Sequence, residues 1–370
     1  MDGILDRVKM SGISELLEMW LGSTRPTILL GAGARKASAE IVQFAAKWNI
    51  PILTTWNAID LIEWEHPLFI GRPGIVATRA ANNTLQGCDL LLSIGARLDP
   101  NTIAFKYENL APRAKKVLVD IDLSEALKIS NLDLFVHMDS LKFIQELNKN
   151  EFISYKEWLE KCIYWKGIYG AEIDTTTVQL CRDLGRSLTS DDVLVLDTAG
   201  GAGGTIFPAF FKQPKGMRVL LSSCGLGSMG AGIPAAIAVS LASQKRVILI
   251  EGDGSFCQCM QELEVIHRLN LNIIIFIIEN GGYASTRSSE MRAFGREGQG
   301  RSFPNIGKIA LAFDICCCTY NPISMDYYLR QIEPMVVVVH APYEELALPR
   351  VLFDGKGSLS NMSPYPSEEE

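Results

Sequence analysis

No stretch of the 370 residues approaches the ~18 consecutive apolar positions that a membrane-spanning helix needs. Apolar-rich runs such as 272–278 and 336–339 are the length of buried strands. The first ten residues carry Asp2, Asp6, Arg7 and Lys9 and no apolar leader core, which points to a cytoplasmic protein without a membrane contact. There is no block of Lys and Arg. With 35 basic and 42 acidic residues the formal charge is −7, so a nucleic-acid partner is not expected. The nine cysteines contain no Cys-x-x-Cys pair, and His66, His137, His267 and His340 are far apart. Cys316, Cys317 and Cys318 are consecutive, and neighbours in a strand point to opposite faces. Neither a disulfide framework nor a zinc site is therefore expected, and the cysteines read as reduced, mostly buried small hydrophobes. No internal repeat of 20–50 residues is present.

What is there is a globular composition, 48% hydrophobic and 21% charged, long enough for two domains. Strand patterns at 27–30, 50–54, 89–94 and 116–121 alternate with helical patterns at 14–21 and 38–48. A second series follows, with strands at 193–196, 218–222, 246–250, 272–278 and 335–339 and helices at 230–242, 258–269 and 303–312. Such alternation predicts an α/β protein of two doubly wound parallel-sheet domains. The expected boundaries are a first domain at 1–150, a linker at 151–174, a second domain at 175–342 and a loose polar tail at 343–370.

Two glycine turns are candidates for chemistry. Gly31-x-Gly33 follows a strand and precedes a helix, where backbone N–H groups can face a phosphate. A dinucleotide fingerprint would want glycine at Lys36 and an acid near Thr54, Thr55 and Trp56, so a plain tight turn and a nucleotide or flavin contact both stay open. The second turn, Gly252-Asp253-Gly254-Ser255, closes one strand. Asn280 closes the next strand, 27 residues after Asp253. Neighbouring parallel strands joined by a crossover helix end side by side, which brings the Asp253 carboxylate and the Asn280 amide into one crevice. Both offer hard oxygen ligands of the kind Mg²⁺ shares with substrate phosphates. The plain alternative is a pair of glycine turns in an ordinary sheet.

Gly-Asp-Gly-Ser followed at this spacing by Asn resembles the diphosphate-binding motif of thiamine-diphosphate-dependent enzymes. Glu279 stands where that motif usually has a first Asn. The resemblance implies Mg²⁺ held by Asp253, Asn280 and the main-chain carbonyl of Gly282, with Gly252, Gly254 and Ser255 beside the cofactor. Gly225-Leu226-Gly227-Ser228-Met229-Gly230 resembles the acetolactate synthases of the family. It implies that Met229 wedges between the two cofactor rings and that the Gly227 carbonyl receives the aminopyrimidine. Asp197 to Gly201 matches more loosely a loop that touches the diphosphate. Gly71-Arg72-Pro73-Gly74 and Val119-Asp120-Ile121-Asp122 look like the central Rossmann-like domain, and Gly281-Gly282-Tyr283-Ala284-Ser285 like members from surface-polysaccharide biosynthesis.

The family's pyrimidine-binding domain is not recognised in these residues, and with it the glutamate that protonates the pyrimidine. No catalytic residue is assignable: Glu251 and Glu279 border the metal loops and are expected to face the diphosphate end. The implied activity is decarboxylation of a 2-oxo acid such as pyruvate and addition of the remaining fragment to a second carbonyl. The missing domain would come from a second polypeptide or from an upstream piece lost from the reading frame, and the chain is expected to form a homo-oligomer or to pair with a separate pyrimidine-binding subunit. The alternatives are a non-catalytic cofactor-binding or regulatory subunit and a nicotinamide enzyme built on Gly31 and Gly33. FAD in the central domain has no motif to support it.

Overall fold

The computed structural model describes residues 12–169, 173–298, 302–345, 348–352 and 358–365. The first residues, read above for a leader, and the final Ser-Glu-Glu-Glu lie outside the described residues. The chain divides into two compact units, residues 1–172 with 348–370, and residues 173–347.

The first unit carries six strands, β1 (Pro26–Leu30), β2 (Ile52–Thr54), β3 (Phe69–Gly71), β4 (Leu90–Ile94), β5 (Lys115–Asp120) and β6 (Leu134–His137). They form one sheet in the order β3-β2-β1-β4-β5-β6, and every neighbouring pair is parallel. This is a doubly wound order whose direction of growth reverses between β1 and β4. β1 and β4 are buried along their whole length because helices cover both faces. The helix Ser38–Trp48 shows why it docks. Ile41, Phe44, Ala45 and Trp48 recur at helical spacing and are its buried residues, and Asn49 ends it in the left-handed conformation.

Two segments differ from expectation. The helix Lys156–Ile168, expected within a linker, packs into the first unit through Trp158, Leu159 and Cys162. The Trp158 indole N–H donates to the Thr27 hydroxyl at 3.1 Å, so the helix is bonded to β1. The C-terminal stretch, expected as a loose tail, forms a short antiparallel pair between Arg350–Val351 and Met362–Ser363. Val351, Leu359 and Met362 are buried in the first core, and the Val351 amide donates to the Ile75 carbonyl at 2.8 Å. Its apolar residues are too sparse to show a period, yet they are enough to anchor it.

The second unit carries β7 (Asp192–Leu196), β8 (Arg218–Leu221), β9 (Arg246–Gly252), β10 (Ile273–Glu279), β11 (Cys316–Thr319) and β12 (Met335–His340). Their order is β11-β12-β10-β9-β7-β8, again all parallel. From β7 the chain goes to β8 on one side and returns to β9 on the other, so the switch point lies between β7 and β9. Residues 247–251 of β9 and 273–278 of β10 are buried, which is why those strands read as continuous apolar runs. No helix among the described residues is long and apolar enough to cross a membrane.

Candidate functional site

The two turns singled out from sequence meet at the carboxyl edge of the second sheet. Ile278 of β10 lies opposite Gly252 of β9, so the residues that follow, Asp253 and Asn280, leave the sheet side by side. Asp253 is 3% exposed. Its Oδ1 accepts from the Gly254 amide at 2.7 Å. Its Oδ2 accepts from the Asn280 amide at 3.1 Å and the Gly282 amide at 2.8 Å. Burial pushes this carboxyl above its ordinary range, against the opposing pull of those three amides. Asp253, Glu279, Asn280, Gly281, His340 and Tyr343 line an open cleft of about 620 Å³.

Glycine is required here for a definite reason. Gly282 sits at φ +79°, and a Cβ on it would lie 1.9 Å from the Phe303 ring. A Cβ on Gly254 would lie 2.6 Å from the Tyr283 ring. The loop is thus packed under two aromatic rings, themselves 5.2 Å apart between centroids.

The expectation for the glutamates is half corrected. Glu279 does line the cleft, where its Oε2 meets His340 Nδ1 at 2.6 Å. Glu251 instead is fully buried beside Asp197. Its side chain lies against the start of the helix Gly232–Ser243, where a Cβ on Gly232 would fall 2.0 Å from Oε2. Burial, reinforced for Glu251 by neighbouring Asp197, pushes both carboxyls above the ordinary range. Loss of solvent thus disfavours the charged form of each carboxyl. The strand alternation of β9 dictates this: Ile250 and Glu251 face opposite sides, and both sides are covered.

The glycine-methionine loop is tied to the same turn, since the Gly230 amide donates to the Ser255 hydroxyl at 2.8 Å. Gly227 has φ +61°, a left-handed turn that keeps the loop tight. Met229 is 43% exposed and its sulfur accepts from the Gln258 amide nitrogen at 3.5 Å. The residues lining the 620 Å³ cleft do not include Gly227 or Met229. The structure therefore joins Gly252, Asp253, Gly254, Asn280 and Gly282 directly, reaches the loop through Ser255, and leaves Met229 at the surface of its loop.

Gly31 and Gly33 resolve toward a tight turn. They lie at the reversal point of the first sheet, but their amides donate to the Ile94 and Gly95 carbonyls at 2.9 and 3.1 Å. A Cβ on Gly31 would lie 2.0 Å from the Gly95 carbonyl oxygen. The glycines let two backbone segments touch, and the N–H groups a phosphate would need are already used.

Arg287, Tyr343, Asp197 and His340 surround the site without having been singled out for it, apart from the loose match at Asp197. Their positions carry no local signature: Arg287 lies on a polar helix, Ala284–Phe294, and Tyr343 in the loop after β12.

With this geometry in hand, comparison with known proteins is specific. Residues 13–147 match the thiamine pyrophosphate enzyme central domain, and residues 201–336 the thiamine pyrophosphate enzyme C-terminal TPP binding domain. The chain belongs to the thiamine pyrophosphate enzyme family, and its two parallel sheets are those two domains. More particularly, it is similar to acetolactate synthases. It is 33% identical over 275 residues to a probable acetolactate synthase large subunit of Methanocaldococcus jannaschii, covering 70% of this chain and 46% of that one. It is 30% identical to acetolactate synthase 2, chloroplastic, of Brassica napus, over 74% of this chain and 44% of that one. It is 26% identical to the acetolactate synthase isozyme 1 large subunit of Escherichia coli, over 92% and 62%. The chain thus spans roughly half the length of the relatives it matches.

Proposed function

We propose that this chain is the cofactor-holding part of an acetolactate synthase-like enzyme acting on a 2-oxo acid such as pyruvate. The observation that carries the reading is the buried Asp253 carboxylate, which lines the same cleft as Asn280. One carboxylate oxygen and one amide oxygen are the donors a hard divalent cation takes when phosphate oxygens and water complete its shell. Asp253, Asn280 and the Gly282 carbonyl would hold Mg²⁺ and through it the diphosphate of thiamine diphosphate. Ser255 fixes the adjoining Gly227–Met229 loop for the rings. When bound, thiamine diphosphate supplies the carbon nucleophile and stores the electrons released by decarboxylation. The chain's own residues bind and orient it. Glu251 is buried away from the cleft and Glu279 is paired with His340, so neither is free to face a pyrimidine. The pyrimidine-facing carboxylate comes from outside residues 1–370, on a separate subunit or another part of the same protein.

Calorimetric titration with thiamine diphosphate in the presence and absence of Mg²⁺ tests this. Asp253→Ala should abolish the Mg²⁺-dependent heat because it removes the only charged ligand, and Asn280→Ala should weaken it strongly. Wild-type affinity in Asp253→Ala would overturn the assignment.

A further inference from the structure

We propose that Arg287 is a positioning residue of the metal-binding loop: it holds the backbone that presents the oxygens of Asn280 and Gly282, and cation affinity depends on it. This rests on the reading of Asp253, Asn280 and Gly282 given above.

Arg287 belongs to the helix Ala284–Phe294, of which it is the one buried residue, at 2% exposure. Burying a guanidinium is costly unless its donors are met and its charge is balanced. Here Nε donates to the Gly282 carbonyl at 2.8 Å and Nη2 donates to the Asn280 carbonyl at 2.7 Å. The Tyr343 ring centroid lies 3.4 Å from the guanidinium carbon, and Glu297 lies 4.0 Å from Nη1. The Tyr343 hydroxyl in turn donates to Glu297. An aromatic face and a carboxylate therefore enclose the charge from the far side.

The amides of Asn280 and Gly282 donate to Asp253, and the carbonyls of the same two residues accept from Arg287. The loop is strung between a carboxylate and a guanidinium. That matters because Gly281 and Gly282 both lie at positive φ, +78° and +79°, where glycine leaves the peptide planes free to turn. One planar group bonded to two carbonyls fixes both planes at once, which a point-charge ammonium cannot do. The Gly282 carbonyl is the oxygen that the loop offers to the cation, and Arg287 sets its direction. Groups that orient ligands in this way are typically worth about 10–100-fold in metal affinity.

The test is Mg²⁺-dependent binding of thiamine diphosphate by Arg287→Met and Arg287→Lys, with Asp253→Ala as control and thermal unfolding measured on each. Arg287→Met should bind about tenfold more weakly or worse, and Arg287→Lys should recover part of the loss, because it keeps the charge but not the fork. A purely structural role would lower the unfolding midpoint and leave the Mg²⁺ dependence of the folded protein unchanged. Wild-type affinity in a folded Arg287→Met, with Asp253→Ala unable to bind, would overturn the positioning role alone. Should Arg287→Met fail to fold, wild-type affinity in Arg287→Lys would overturn it equally. If Asp253→Ala also binds as wild type, the site reading falls and this inference with it.

Discussion

A single methyl group at position 282 separates two kinds of strain that a glycine can relieve. Gly282→Ala adds a Cβ 1.9 Å from the Phe303 ring at φ +79°, so it meets both an overlap and an unfavourable backbone. Gly295 also has a positive φ, +66°, but nothing lies within 4 Å of its Cβ position. Gly295→Ala should therefore cost only the backbone term, on the order of 1 kcal/mol. Gly282→Ala should cost more, on the order of 1–3 kcal/mol, and should also weaken Mg²⁺-dependent cofactor binding, because the loop must shift away from Phe303. Urea midpoints of the two variants and a cofactor titration check this; equal losses for both would show that the overlap with Phe303 relaxes freely. At this scale the sequence was informative about which residues meet, as with Asp253 and Asn280, which two strand ends bring to one cleft. It was silent on Arg287, whose role depends on a helix turning its one buried side chain back toward two carbonyls.

Among elements, the helix Thr176–Ser187 shows how a start is built from distant parts. The Thr175 hydroxyl accepts from the Val178 amide at 3.2 Å. The Glu345 carboxylate, from the loop after β12, accepts from the Thr176 and Thr177 amides at 3.0 and 2.9 Å. Three of the first free N–H groups are thereby satisfied. Thr175→Ala should cost about 1 kcal/mol as a lost cap, and Glu345→Gln roughly 0.3–1 kcal/mol as a lost negative charge at the helix start. Thermal unfolding of each variant reads these losses, and an unchanged midpoint in both would deny the helix its proposed fastening. Glu345 also anchors the segment that carries Tyr343 two residues earlier, so its loss should loosen the ring over Arg287. Elements were legible in proportion to their apolar content. β9 and β10 stood out as runs of Val, Ile and Leu. β3, with three residues, and β6, with four, gave no period to read. β11 is an edge strand of Cys-Cys-Cys-Thr whose ends are exposed, so burial never shaped its pattern. The helix Lys156–Ile168 misled because its charges outnumber the three residues it buries.

On the scale of the whole chain, two facts bear on how it works: it spans roughly half the length of its relatives, and its second unit leaves apolar residues in the open. Leu226 is 86% exposed, Met229 43% and Leu241 49%, the last on a helix, Gly232–Ser243, that is apolar on nearly every side. A helix of that composition is normally buried all round, so this face is expected to be covered in the working protein. The chain should self-associate or require a partner, and a strictly monodisperse monomer in sedimentation would count against it. The final expectation concerns chemistry. On the proposed reading, anchoring of the diphosphate would rest on Asp253, Asn280 and backbone groups held by local contacts, all within residues 1–370. Removing the proton from the reactive thiazolium carbon depends on a carboxylate against the pyrimidine. Of the two glutamates at the metal loops, one is buried beside Asp197 and the other is paired with His340. Binding and catalysis should therefore separate: the isolated chain should bind thiamine diphosphate with Mg²⁺ but exchange that proton slowly, by about the 10²–10⁴-fold that general acid–base help is worth. Deuterium exchange at the thiazolium carbon measures this directly. Adding a pyrimidine-binding domain in trans should accelerate exchange if the chain is a catalytic component, and should leave it unchanged if the chain only binds the cofactor. Fast exchange by the chain alone would mean that a group within these 370 residues already performs the glutamate's task.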